Sequence, residues 1–386
     1  MTLMFKITKK ISLTLLLLFI TFSFSGCMGI PFPGETVSNG GKAPERNDSQ
    51  GVFKTTDGGR TWEHKVTIEG SEIQLDQIII GSMAIDPENP SVLYLGTFGD
   101  GMYKTENGGD SWRKVEDQNG KMRGASSIYD IAVESGNSNI IYAASLNDNR
   151  AVLLKSEDSG NSWIESYIST ELGKQINRVQ IDPVRKNVVY IGTEQGGFIK
   201  SQNRGNDWAE VQWFTTGVKD FIVDFNNTKG IIVLTHDGVF KTTDGGATKD
   251  QSWTDLSKSI KDALKISTST FDQISSVQID NQNPLVVYMT YNNLIFVTRD
   301  GGVTWETLKT ITPALTSSKE TPKIKKIAFT NGTMYYGAGN AIYRSENKGQ
   351  TWSSFDIPIE GDVKYTVSDP INTSTIYVGS FYETTD

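Results

Sequence analysis

Asp130, Arg178, Asp220 and Lys326 are the residues of this 386-residue chain whose types and spacing invite a chemical reading. Aligning the stretches that end in Asp86, Asp182, Asp224 and Asp280 puts Ser82, Asp130, Arg178, Asp220, Ser276, Lys326 and Tyr365 at one level. Two carboxylates flanking a guanidinium support two chemistries. Left accessible, the acids would serve as general acid and base. Packed together, alternating opposite charges form charge-assisted hydrogen bonds and a structural network. The network is favoured, because adjacent opposite charges satisfy each other.

A second group suits binding. Trp213 and Phe214 share a loop, and Trp213 stands apart from the motif that holds the other seven tryptophans. Phe98, His236, Asp237, Tyr291 and Asn292 fall in other loops expected on the same side. Aromatics beside amides and carboxylates suit a glycan or peptide surface. The competing reading has Trp213 and Phe214 merely packing their loop down. His64 and His236 are the only histidines, and neither has a metal-ligand partner at a workable spacing. There is no nucleophile-elbow pattern and no phosphate-cradling loop. No catalytic residue, metal or cofactor is therefore assigned.

These side chains need elements to hold them, and one short motif organises those elements. Thr55-Thr56-Asp57-Gly58-Gly59-Arg60-Thr61-Trp62 recurs around Asn107, Asp158, Asn203, Asp244, Asp300 and Asn347, with Lys249 to Ser252 inserted in the Asp244 copy. The Asp or Asn is expected to accept from backbone N–H groups two or three residues on, closing a turn. The following Gly supplies the positive φ of a tight hairpin, and the Trp covers the turn. Turn stability explains every part, so the motif itself is structural.

The motif resembles the Asp-box, or BNR repeat, of sialidases, two-propeller xyloglucanases, sortilin-type receptors and photosystem II assembly factors. The resemblance runs from about Gly51 to the end of the chain. It implies a β-propeller whose binding site lies on the face opposite the boxes. Sialidases of this kind carry an Arg-Ile-Pro motif that is missing here. The repeats resemble those of xyloglucanases more closely, but those enzymes flank a cleft with two propellers, and one ring fits this length. The photosystem assembly factors match in size and single-ring form, while their basic patch has no clear counterpart on an acidic chain.

The repeat length agrees with such a fold. Intervals between boxes run from 41 to 56 residues, which suits one four-stranded blade each. Ser82–Pro87, Val92–Thr97, Gly101–Thr105 and Ser111–Val115 read as four successive strands, and near-continuous apolar second strands suit sheets covered on both faces. The last blade has two inner strands near Asp369 and Tyr377, while Gly51–Lys54 and the first box supply two outer strands. The expected fold is all-β, a seven-bladed β-propeller of four-stranded blades closed by pairing N-terminal outer strands with C-terminal inner strands. Tyr382–Asp386 resembles the start of an eighth box, displaced by the N-terminal strand. Within the insertion Leu256–Gln273, residues 260–266 are expected to form a short helix capping the face opposite the boxes.

The N-terminal stretch reads as an export signal. Lys6, Lys9 and Lys10 precede an apolar run from Ile11 to Phe24 that is short for a membrane span. Phe24-Ser25-Gly26-Cys27 resembles a bacterial lipobox, which implies lipidation of Cys27, the only cysteine. The expected organisation is a signal over 1–26, a flexible tether over 27–50 and a propeller over 51–386. Without the signal, 34 basic residues face 45 acidic ones, which argues against nucleic acid. The expected protein is a monomeric body held outside the cytoplasm of a bacterium by its lipid. It would bind a protein or glycan, with glycoside hydrolysis as the alternative.

Overall fold

The computed structural model of the chain describes residues 50–265, 268–280, 282–310 and 322–381. The stretches expected to be a signal and a tether, with Cys27, and Tyr382–Asp386 lie outside the described residues. Seven antiparallel four-stranded sheets make up the propeller. Blade 1 runs inside to outside through Ile80–Ile85, Leu93–Thr97, Met102–Thr105 and Arg113–Lys114. The inner strands of blades 2 to 7 are Ser127–Val133, Ile176–Ile181, Val218–Val223, Ile274–Asp280, Ile327–Thr330 and Val363–Ser368. Blade 7 is composite: Gly51–Thr55 pairs antiparallel with Ile376–Ser380, and Glu63–His64 forms the outer edge. Closure thus follows the pairing expected from the two half-blades.

Second strands are buried on both faces, which explains their unbroken apolar runs. Seven apolar clusters form, each shared by two neighbouring blades. Full burial of one such side chain contributes about 1.5–3 kcal/mol, so blade stacking dominates the stability. Fully buried Tyr94, Tyr142 and Tyr377 also donate their hydroxyls to box carbonyls of the next blade, at Ser159, Arg204 and Gly108.

The boxes close differently from the sequence expectation. In all seven, the first Ser or Thr hydroxyl donates to the Asp or Asn carboxyl or amide oxygen, at 2.7–3.0 Å. The same hydroxyl accepts the N–H of the second glycine position, as from Gly59 to Thr55 at 2.9 Å. The Asp or Asn oxygen then accepts an N–H four residues on, as Thr61 N to Asp57 Oδ1 at 2.9 Å, rather than two or three. Only the interrupted box has the shorter pattern, from Gly246 and Ala247 to Asp244, with inserted Ser252 donating to Asp244 Oδ2 at 2.9 Å.

The two glycine positions carry different demands. Ser159, Arg204 and Lys348 occupy the first with φ near 60°, so a left-handed side chain is tolerated there. The second is Gly in every copy, at φ from +75° to +106°, and in most copies it also presses on the preceding blade. A Cβ on Gly205 would stand 2.3 Å from Ser166 Oγ, and one on Gly349 2.6 Å from Leu308 Cδ1. The boxes are therefore interblade clasps.

The insertion forms α1, Ser257–Leu264, starting three residues earlier than expected. Its Ile260 joins Leu256, Phe271 and Trp305 in the cluster between blades 4 and 5. Ser259 donates to the carbonyl of Gly302 at 2.9 Å. The helix thus leans on the neighbouring blade's box instead of capping the opposite face.

Candidate functional site: the central channel

Six of the seven inner strands, all but that of blade 6, begin with a defect that shapes the channel. The register slips between Ile80 and Ser82, and likewise at Ile128/Asp130, Ile176/Arg178, Val218/Asp220, Ile274/Ser276 and Val363/Tyr365. A β-bulge bends its strand and re-aims a side chain. Here the bulged residues include Tyr129, Asn177, Lys219, Ser275 and Lys364, and all five line the channel beside the residues that follow them. The cavity they enclose is about 390 Å³.

All seven residues aligned from the sequence, Ser82, Asp130, Arg178, Asp220, Ser276, Lys326 and Tyr365, line this cavity, and Phe98 joins them. Arg178 Nη1 donates to Asp130 Oδ2 at 3.0 Å. Its Nε stands 3.2 Å from Asp220 Oδ1, an ion-pair distance, though the N–H is not aimed along it. Burial opposes the Arg178 charge, but the carboxylates of Asp130 and Asp220 outweigh it and hold its pKa above the ordinary value.

Both carboxylates also lace blades together. Asp130 Oδ2 accepts the Val179 N–H at 2.9 Å. Asp220 accepts the N–H of Phe221 at 2.9 Å through Oδ1 and that of Val277, one blade on, at 3.1 Å through Oδ2. Asn177 Nδ2 donates to the Val218 carbonyl at 2.8 Å, and Ser82 Oγ to that of Ile128 at 3.2 Å. An acid so engaged holds structure and is poorly placed to shuttle protons.

Cations dominate the rest of the wall. Lys219, Lys325, Lys326 and Lys364 join Arg178, against the two carboxylates. Lys219 Nζ donates to the carbonyls of Asp272 and Ile274 at 2.6 and 2.7 Å, and burial lowers its pKa. Lys326 makes no hydrogen bond or ion pair among the described residues. The Arg178 charge, then burial, push its pKa down, and Asp220 and Asp130 only partly offset them. Lys219, Lys325 and Lys364 escaped the sequence alignment, which took one residue per strand. The signal was their place immediately before Asp220, Lys326 and Tyr365.

The loop candidates do not gather into one site. Trp213 lies across Gly197 at the outer edge of blade 3 and is 48% exposed. Phe214 corrects the sequence expectation of a surface contact. It is buried, with its ring 4.9 Å from Phe240 and 5.3 Å from Trp253, because the chain turns successive side chains to opposite sides. His236 Nδ1 is 2.5 Å from Asp272 Oδ1 on the rim. Asp237 accepts from Thr216 and Thr235. Tyr291 packs on Phe296, and Asn292 donates to Gln273 Oε1 at 2.8 Å. None of these six lines the channel cavity. Among the described residues, no three His, Cys, Asp or Glu side chains converge as a metal site.

This ring has relatives of two kinds. A xyloglucanase of Hypocrea jecorina is 24% identical over 307 residues, covering 72% of this chain but only 32% of that enzyme. The chain thus spans about a third of that relative's length. Among solved structures, YCF48 from Cyanidioschyzon merolae superposes with a TM-score of 0.56 at 15% identity, covering 78% of this chain and 95% of that one. A structure of YCF48 bound to D1 peptide gives 0.56 at 14% identity, covering 79% and 94%. Residues 109–375 match the model of the DUF6242 beta propeller domain, and the chain belongs to that family.

Proposed function

We propose that this propeller is a non-catalytic receptor that holds a segment of another polypeptide at its channel mouth, on the face opposite the boxes. The observation that carries this reading is the engagement of Asp130 and Asp220. Arg178 and the backbone N–H groups of Val179, Phe221 and Val277 bind both acids, so the channel offers donors and no acid–base pair. The YCF48 bound to D1 peptide supports it, since that single ring is covered over 94% of its length.

Glycoside hydrolysis is the second reading, favoured by the 24% identity to a xyloglucanase. The test is a peptide-display selection on the full chain, run beside hydrolysis assays on xyloglucan and other β-glucans. We expect selected peptides that compete for one site and no release of reducing sugar. Turnover that disappears in Asp130→Asn or Asp220→Asn would establish the hydrolase instead.

Anchoring belongs to the same reading. A lipid on Cys27 would hold the ring at the outer side of a bacterial membrane, within reach of a partner there. Cys27→Ser is expected to abolish labelling by a fatty-acid probe and to move the protein from the membrane to the soluble fraction. Unchanged membrane retention would refute the anchor.

A further inference from the structure

The channel has the opposite charge to the chain around it. Overall 45 acidic residues outnumber 37 basic ones. Yet Arg178, Lys219, Lys325, Lys326 and Lys364 line a cavity that holds only Asp130 and Asp220 as acids. Low-dielectric walls focus such a field towards a bound anion.

Two donors in that wall have no protein partner among the described residues, one of them, Lys326, open to solvent and the other buried. Lys326, on blade 6, has no hydrogen-bond or ion-pair partner among the described residues, and Arg178 crowds it electrostatically. Ser276, at the same level on blade 5, is 3% exposed, and its Oγ has no hydrogen-bond partner. A buried hydroxyl without a partner normally costs about 1–3 kcal/mol and calls for an explanation. An arriving anion would accept from both groups and relieve the repulsion between Lys326 and Arg178.

We infer, resting on the reading of the channel as a polypeptide site, that the bound segment is acidic and that Lys326 and Ser276 hold one of its carboxylates. A carboxylate offers about four acceptor positions on two oxygens, enough to take an ammonium and a hydroxyl together. It comes from an Asp or Glu side chain or from a chain's C-terminus. The cavity of about 390 Å³ admits a side chain or a chain end and excludes a folded domain.

Fluorescence anisotropy on the full chain with labelled hexaglutamate, its C-terminally amidated form, hexaserine and hexalysine tests this. Hexaglutamate should bind, weakening as salt rises, while hexaserine and hexalysine should not. Equal binding of the amidated peptide assigns the site to side chains, and its loss assigns it to the C-terminus. Lys326→Met should weaken hexaglutamate at least tenfold at unchanged melting temperature, and Lys326→Arg should retain binding. Ser276→Ala should weaken it by a smaller factor. Native-like hexaglutamate binding by Lys326→Met would overturn the assignment. If display yields only neutral or basic peptides, the acidic ligand is wrong and the polypeptide site stands. If no peptide binds while polygalacturonate does, the underlying reading fails as well.

Discussion

Arg178 sits between carboxylates from the blades on either side of its own, 17% exposed against 16% and 9% for Asp130 and Asp220. Removing one member of such a group leaves uncompensated buried charge. Arg178→Ala should cost about 3–5 kcal/mol, read from urea or thermal unfolding. A melting temperature within a degree of the native value would mean the network is solvated. The box carboxylates make a second statement at this scale. Backbone and hydroxyl donors of Thr61 hold Asp57 down to about 2, and similar bonds lower Asp158, Asp244 and Asp300. A carboxylate depressed in the folded state contributes stability that is present above its ordinary value near 4. That contribution is lost as pH falls through the folded value. Melting temperature should therefore drop on acidification below about pH 4. Asp57→Asn should flatten part of that drop, since Asn107, Asn203 and Asn347 already close boxes without a titrating group. An unchanged pH profile would refute this assignment. Arg178 and its acids were legible because aligned strands put like positions at one height. The inward turn of Phe214 was not, since a loop reading gives no facing to its side chains.

Among the elements, the box and the bulge show opposite degrees of legibility. The box announces itself through a fixed order of side chains, each bonded within the motif. The bulge leaves no such mark, because it changes which residues face the channel without changing the apolar pattern that locates the strand. Lys219 and Lys364, which sit at such shifts, thus escaped an alignment that took one residue per strand. The clasp reading of the box is open to measurement. Gly349→Ala adds a Cβ at φ +84°, 2.6 Å from Leu308, combining left-handed strain with overpacking. Together these should cost about 2–4 kcal/mol. Gly245→Asn, at the position where Ser159 and Lys348 are accepted and where a new Cβ meets nothing nearer than 3.8 Å, should cost under about 1 kcal/mol. Equal losses at the two sites would show that the second glycine is not pressed between blades.

At the scale of the whole ring, closure was legible from two incomplete blades whose missing strands complemented each other. Deleting Gly51–Lys65 removes the fully buried Val52 and Phe53 and two strands of blade 7. At about 25 cal/mol per Å² of apolar surface, the loss should reach several kcal/mol and show as a lower melting temperature with aggregation. An unchanged melting temperature would mean the ring does not depend on this seam. The seam also governs timing. Gly51–Thr55 pairs with Ile376–Ser380, so the first strand of the propeller stays without its partner until nearly the last strand has left the ribosome. Through that interval it presents an open edge with its apolar side chains uncovered. Contacts this distant in sequence form slowly, so the ring's completion is a late kinetic event, and whatever escorts the chain must shield that strand until its partner arrives.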